Sequence, residues 1–393
     1  MKYFKLYIVL LFLVVNSCDK EEFYSGQAET FIKYFGGERP YEGIQVLATD
    51  DGGYIVLGNI ENSNRRKDIC ILRTDMYGNT IGPIKVYGSF YDDYGYAMKK
   101  NDAGYIIVGS TKTTNSSDKQ VYLVQIDNSG DTLWTASYGF PLDDEANDII
   151  VLDNQDLVIT GYVKVSENNT DFLVAKFSSL GDSLWMLHLG VPIYNEIGNT
   201  IIKAGNYFII GGTRNNDLTN SSNYNGFLAQ VTDMGSTPLI IPFNTDGSSE
   251  INSIVSTGNN AYYAVCTVES ESGNESKINI IKFKHDNDNS PETLWNKEYG
   301  ERTFNSASYI RANNNSVAVI GTSGTNIDAG DLLLMNIDFE GNSPDYNYVG
   351  DGVSFAGRGF DFSSDGGYII TGSNYSIGNS VITLAKLDNE GKL

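Results

Sequence analysis

Short apolar runs recur along this chain at a nearly constant spacing, and almost every one closes on glycine. GGYIVLG (52–58), AGYIIVG (103–109), QDLVITG (155–161), NYFIIGG (206–212), NSVAVIG (315–321) and GGYIITG (366–372) are copies of one pattern. NAYYAVC (260–266) is a seventh, with cysteine in the closing place. The closing positions 58, 109, 161, 212, 266, 321 and 372 lie 51 to 55 residues apart. A second apolar run follows each copy and ends in a turn rich in Asp, Asn and Gly, as in VYLVQIDNSGD (121–131) and ITLAKLDNEGK (382–392). A third follows at once: TLWTASYG (132–139), SLWMLHLG (183–190) and TLWNKEYG (293–300), with plainer copies IGPIKVYG (81–88) and SPDYNYVG (343–350). Val, Ile and Tyr fill these runs and turn residues bound them, which predicts strands. No stretch beyond the N-terminal segment holds a helical apolar stripe.

Each unit thus carries four strands, named a to d in chain order. In the first they are GIQVLA (43–48), GYIVLG (53–58), ICILRTD (69–75) and IKVYG (84–88). Four-stranded units of about 40–50 residues are the repeat of β-propellers. Residues 30–393 divide into seven units of 52. The expected fold is all-β, a seven-bladed β-propeller of four-stranded antiparallel blades. The last unit stops at Leu387–Leu393, where its strand d should begin. The missing strand is at the other end, because Thr30–Gly36 has the aromatic-glycine ending of a strand d. The N-terminal strand is therefore expected to complete the last blade, which satisfies edges that a solenoid would have to cap. Trp134, Trp185 and Trp295 hold one position in strand d and are expected to cover the adjoining blade. The Asp-x-x-Gly turns need left-handed backbone, which Gly and Asn supply.

The first residues give an address. Lys2 and Lys5 precede the apolar run YIVLLFLVV (7–15), which is too short for a mature membrane span. Asn16-Ser17-Cys18 and an acidic stretch follow. Residues 1–17 read as a lipoprotein signal peptide, Cys18 as the lipidated residue, 18–29 as a tether and 30–393 as the propeller. Several acyl chains together make a stable anchor, each buried methylene adding about 0.8 kcal/mol. Cys18 and the acidic stretch after it resemble the lipobox and surface-export signal of Bacteroidota lipoproteins, which implies the outer membrane, facing outward, with the membrane reached through the lipid alone. Cleavage removes two lysines and no acid, taking the net charge from −22 to −24. Such a chain repels nucleic acid and anionic headgroups. Cys70 and Cys266 fall in blades that are not neighbours, so no disulfide is expected, and a monomer stabilised by its core is.

The run DGGYI-x-x-G, the Asp-x-x-Gly turn, then Leu-Trp and Tyr-Gly together resemble repeats in surface lipoproteins of the Bacteroidota, a group likened to bulb-type lectins. The turn Asp127-Asn128-Ser129-Gly130 leading to Trp134 also resembles the tryptophan-docking motif of quinoprotein-like propellers, one residue shorter. The resemblance spans 30–393 and implies architecture more than activity, since propellers host enzymes, lectins and scaffolds alike. The lectin likeness implies a Gln-x-Asp-x-Asn-x-Val-x-Tyr sugar site; no stretch matches it, so no sugar-binding residue is carried over.

Chemistry is sparse. The two histidines, His188 and His285, sit in different blades, which removes HExxH zinc sites and argues against Ser-His-Asp or Cys-His catalysis. Ser116-Ser117-Asp118-Lys119 lacks the partners of a Ser-x-x-Lys nucleophile. Asp286, Asp288, Ser290 and Glu292 resemble a calcium loop, but Pro291 occupies the place of its glycine. The more informative set lies where strand d passes to the next strand a. Six residues on from the strand-d glycine stand Glu42, Tyr94, Glu145, Glu196, Ser306 and Ala356, with Asp93 and Asp144 one residue earlier; in unit five Asn244 holds the glycine place and gives Glu250. Strand a is innermost in a propeller, so Glu42, Asp93, Asp144, Glu145, Glu196 and Glu250 are expected at one mouth of the axial channel. That mouth could hold a cationic ligand or Ca²⁺; no other cofactor is expected. Alternatively each acid caps its own turn. The function this supports is a non-catalytic envelope module binding a protein or glycan. The alternative is a glycan hydrolase or lyase working through mouth carboxylates. Exposed aromatics beside the acids, Tyr41, Phe90, Tyr91, Tyr94 and Phe355, would favour sugar binding.

Overall fold

The computed structural model describes residues 30–114, 118–215, 224–236, 239–242, 247–286, 290–326, 329–350, 355–375 and 379–393. The signal peptide, Cys18 and the tether lie outside the described residues, as do Ser116, Ser117 and Asp288. The chain forms seven four-stranded antiparallel sheets arranged as the blades of a β-propeller. Blade one comprises Tyr41–Ala48, Tyr54–Glu61, Lys67–Thr74 and Lys85–Tyr87, its strands a to d. Strands a of blades two to seven are Asp93–Asn101, Asp144–Val151, Asn195–Ala204, Ser248–Gly258, Phe304–Ala312 and Phe355–Phe362. Blade seven has three strands of its own, and its fourth is Phe31–Phe35. That strand pairs with Val381–Leu387 from Phe31 opposite Lys386 to Phe35 opposite Ile382, the closure expected from the repeat phase.

Seven apolar clusters sit between successive blades, one to each interface. The interface between blades seven and one joins Ile369, Ile382 and Leu384 to Val46, Val56 and Leu72, with Phe31 and Phe35 packed against them. Strands b and c are buried on both faces, which is why they read as continuous apolar runs rather than alternating ones.

The Trp-Tyr-Gly motif of strand d is a docking device. A β-carbon on Gly181, in the hairpin of blade three, would lie 2.8 Å from the Trp134 ring of blade two. The corresponding hairpin glycines Gly235 and Gly341 would meet Trp185 and Trp295 at 3.1 and 2.8 Å. Gly181 has φ +89°, so the turn and the indole above it both exclude a side chain. Tyrosines ending strand d add a second contact to the same hairpin. Tyr299 donates to the Gly341 carbonyl at 2.8 Å, and Tyr87 and Tyr138 donate likewise to Gly130 and Gly181. The tryptophans thus cover the next blade, as the sequence suggested.

Near the axis the blades are stitched by side chains reaching the neighbouring backbone. Asn59 of blade one both donates to and accepts from Gly95 of blade two, at 3.2 and 2.9 Å. Asn147, Asn199 and Asn252 donate to the carbonyls of Gly198, Ile251 and Ala307 in the following blade, at 3.0, 3.1 and 2.7 Å. Cys70 and Cys266 are free and buried, and burial pushes the Cys70 thiol up to about 12. Cys266 fills the strand-b glycine place of blade five as a small hydrophobe.

Candidate functional site

Every strand a carries a one-residue bulge at the same height, between 43 and 45, 95 and 97, 146 and 148, 198 and 200, 251 and 253, 307 and 309, and 357 and 359. A bulge leaves its extra residue unpaired and re-aims it. Here Ile44, Tyr96, Asn147, Asn199, Asn252, Ser308 and Arg358 hold that place, and all of them line the axial channel. The cavity they surround has a volume of about 580 Å³. Deeper along strand a the channel is crossed. Lys99 of blade two donates to the Tyr309 hydroxyl of blade six at 3.3 Å and lies 3.8 Å from Asp148 of blade three. Arg311 stacks over the Tyr309 ring at 5.7 Å and pairs with Asp361 at 3.1 Å. The cavity therefore has a charged floor and opens toward the d-to-a loops.

The acids singled out in the sequence divide by position. Asp93 and Asp144 are fully buried behind the loops rather than at the mouth. Each accepts from the backbone of its own turn, from Ser89 and Phe140 respectively. That single backbone bond is how each ties down its own turn. Burial pushes the Asp144 carboxyl up to about 7. Glu42, Glu145 and Glu196 are each matched by a cation: Lys67 at 2.8 Å, Lys119, and Arg214 at 3.0 Å. Glu196 is wholly buried; burial pushes its carboxyl up, and the Arg214 charge opposes that. Glu250 lines the cavity and accepts from Asn199 at 3.2 Å, with Glu269 on the same wall. Burial pushes the Glu250 carboxyl up as well. Among the described residues no three His, Cys, Asp or Glu side chains gather closely enough to hold a metal ion.

The aromatics also separate. Phe355 is buried and Tyr41 half-buried. Phe90 is exposed, and its ring and that of Tyr91 are covered by Arg66 at 4.4 and 5.2 Å. Tyr94 and Tyr96 form a near-parallel pair on blade two, centroids 6.0 Å apart and planes 6° apart. Lys119 sits 5.5 Å from the Tyr94 centroid. Burial first, then the nearby Glu145 charge, push the phenols of Tyr96 and Tyr162 up. Sequence reasoning missed Tyr96, Tyr309, Lys99 and Arg358 because none lies in a repeated motif. Tyr96 and Arg358 owe their place to the bulge, which the motif spacing does not reveal, and Lys99 and Tyr309 meet only across the ring.

No protein-family model matches the sequence, and no curated protein matches it. Solved structures do. YCF48 bound to D1 peptide superposes with TM-score 0.52 at 13% identity, over 92% of this chain and 96% of that one. The acylaminoacyl peptidase of Pyrococcus horikoshii gives 0.47 at 10% identity, over 88% of this chain and 51% of that one. A thermostable family-43 glycoside hydrolase gives 0.41 at 13% identity, over 68% of this chain and 98% of that one. At these identities the likeness is one of fold.

Proposed function

We propose that this chain is a lipid-anchored, non-catalytic binding module of the outer envelope, and that its ligand is a glycan seated at the open end of the axial channel. The observation that carries the reading is the Tyr94–Tyr96 pair, with Tyr96 on the wall of a cavity of about 580 Å³. Ring faces pack on the C–H faces of sugars, while amides, hydroxyls and carboxylates take the sugar hydroxyls. A protein ligand has the peptide complex of YCF48 behind it by fold alone. Glycan is favoured by the lining, where Tyr96, Asn147, Asn199, Asn252 and Thr200 converge. The hydrolase or lyase alternative needs carboxylates at liberty to act on a glycosidic bond. Glu42, Glu145 and Glu196 are committed to cations, which leaves Glu250 and Glu269 on the cavity wall as the carboxylates that reading would have to use. Membership of the Bacteroidota surface lipoproteins, signal cleavage before Cys18 and outward display are part of this proposal and rest on residues 1–29 and the DGGYI-x-x-G repeats.

A glycan array read with the full chain and its Tyr96→Ala variant tests the binding. The expected result is a discrete set of glycan hits weakened about tenfold by the substitution, in line with the loss of one aromatic platform. Hits of undiminished strength in the variant would remove the channel from consideration. Turnover of any bound glycan by the wild-type chain would restore the enzyme reading.

A further inference from the structure

Among the described residues lining the cavity, Arg358 is the one cation, in a chain whose net charge is −22. It is exposed to the channel, and among the described residues no carboxylate stands within ion-pairing distance of it. Cations outside the cavity lining are matched: Lys99 by Asp148, Arg311 by Asp361, Lys119 by Glu145 and Arg214 by Glu196. Arg358 also departs from the stitching pattern. It occupies the bulge place that holds Asn147, Asn199 and Asn252 in blades three to five, whose amides bind the next blade's carbonyl. Its own guanidinium makes no such bond among the described residues. The stretch of wall around it comes from blades six, seven and one, with Ser306, Ser308, Ala356 and Ile44, and carries no acid among the described residues.

The opposite wall has the reverse character. Asn147, Asn199 and Asn252 spend their Nδ2 groups on backbone carbonyls, so their Oδ1 atoms remain to accept hydrogen bonds. Glu250 and Glu269 add further acceptors on that side. One wall thus offers a planar five-donor fork suited to a carboxylate, and the other offers acceptors for hydroxyls. The acids opposite repel a ligand carboxylate toward the guanidinium. We propose that the recognised unit is an acidic sugar of the uronic type, its carboxylate seated on Arg358 and its hydroxyls on the asparagine and glutamate wall. This rests on the glycan reading above and specifies its substrate class.

The test is titration calorimetry of the full chain with uronic-acid oligosaccharides covering the glucuronic, galacturonic and mannuronic series, each also as its carboxyl methyl ester. Wild type, Arg358→Ala and Arg358→Lys are compared. Because Arg358 has no ion-pair partner to orphan among the described residues, both variants should keep the wild-type thermal midpoint. At least one acid should bind wild type about tenfold more tightly than its ester, the range expected when a charge-assisted bidentate pair is lost. Arg358→Ala should erase that preference while leaving the ester's affinity within about twofold, and Arg358→Lys should restore only part of it. Acids that bind no better than their esters, or a preference that survives in Arg358→Ala, would overturn the assignment. If neutral glycans bind and acids do not, the acidic-sugar assignment alone falls. If no glycan of either kind binds, the glycan reading falls with it.

Discussion

Deleting residues 30–36 from the full chain lowers the thermal midpoint by about 6 °C or more and broadens the transition. The segment supplies the fourth strand of blade seven, pairing along five residues of Val381–Leu387. Its removal leaves that strand as an open edge. It also strips Phe31 and Phe35 from the cluster that joins blade seven to blade one. Phe31 further lies against the blade-one hairpin, where a β-carbon on Gly78 would be 2.7 Å from its ring. Pairing over five residues, at about one ladder bond per residue and about 1 kcal/mol net each, gives roughly 5 kcal/mol before any apolar loss. Unfolding entropy of about 0.8 kcal/mol per kelvin for a chain of this size converts that to about 6 °C. Differential scanning calorimetry decides the matter, and an unchanged midpoint would mean the ring is not held shut by this strand. Deleting Glu271–Gly273 from the exposed turn between strands b and c of blade five is the control, and should shift the midpoint far less.

Arg214→Ala is expected to destabilise the chain by about 3–5 kcal/mol, because it leaves the carboxylate of Glu196 buried without a cation. The paired change Arg214→Met with Glu196→Gln should recover most of that loss, since what costs most is the orphaned charge and not the absent bond. The pH dependence has a definite sign. With Arg214 gone, the Glu196 carboxyl of the folded chain rises further above its unfolded value. The folded state then holds a proton that the unfolded state has released. Stability therefore falls as pH rises through that interval, and the variant is nearest to wild type below about pH 4. Urea unfolding from pH 4 to 8 checks this. A deficit that is the same at every pH would show that Arg214 acts through its packing on Tyr194, 4.9 Å away, rather than through Glu196.

The fold was legible because the repeat is. Seven closing positions, a strand-d fragment at the wrong end of the chain and tryptophans at one register position each had a physical meaning that the structure bears out. The site was legible only as a height along the axis. Counting from the strand-d glycine locates the start of strand a, but adjacent strand residues face opposite ways. Glu145 consequently meets Lys119 and the tyrosines, while Asp144 next to it caps a turn. The bulge then shifts which residue points inward, and a one-residue insertion leaves no trace in a motif series spaced by 51 to 55 residues. Arg358 was invisible for that reason. The floor of the channel was hidden by distance, since Lys99 and Tyr309 meet across the ring from positions 210 residues apart. The departures from regularity at Ser306 and Ala356, where the acids drop out, do mark the side of the cavity on which Arg358 stands.

Amide hydrogen exchange of the full chain, with and without its strongest array glycan, tests the binding site most directly. Binding in the channel predicts new protection concentrated in the strands a, around Tyr96, Asn147, Asn199, Asn252 and Arg358, with the outer strands d unchanged. Protection confined to strands d, or to the hairpins that carry Gly130, Gly181 and Gly341, would place the ligand on the rim and contradict the account.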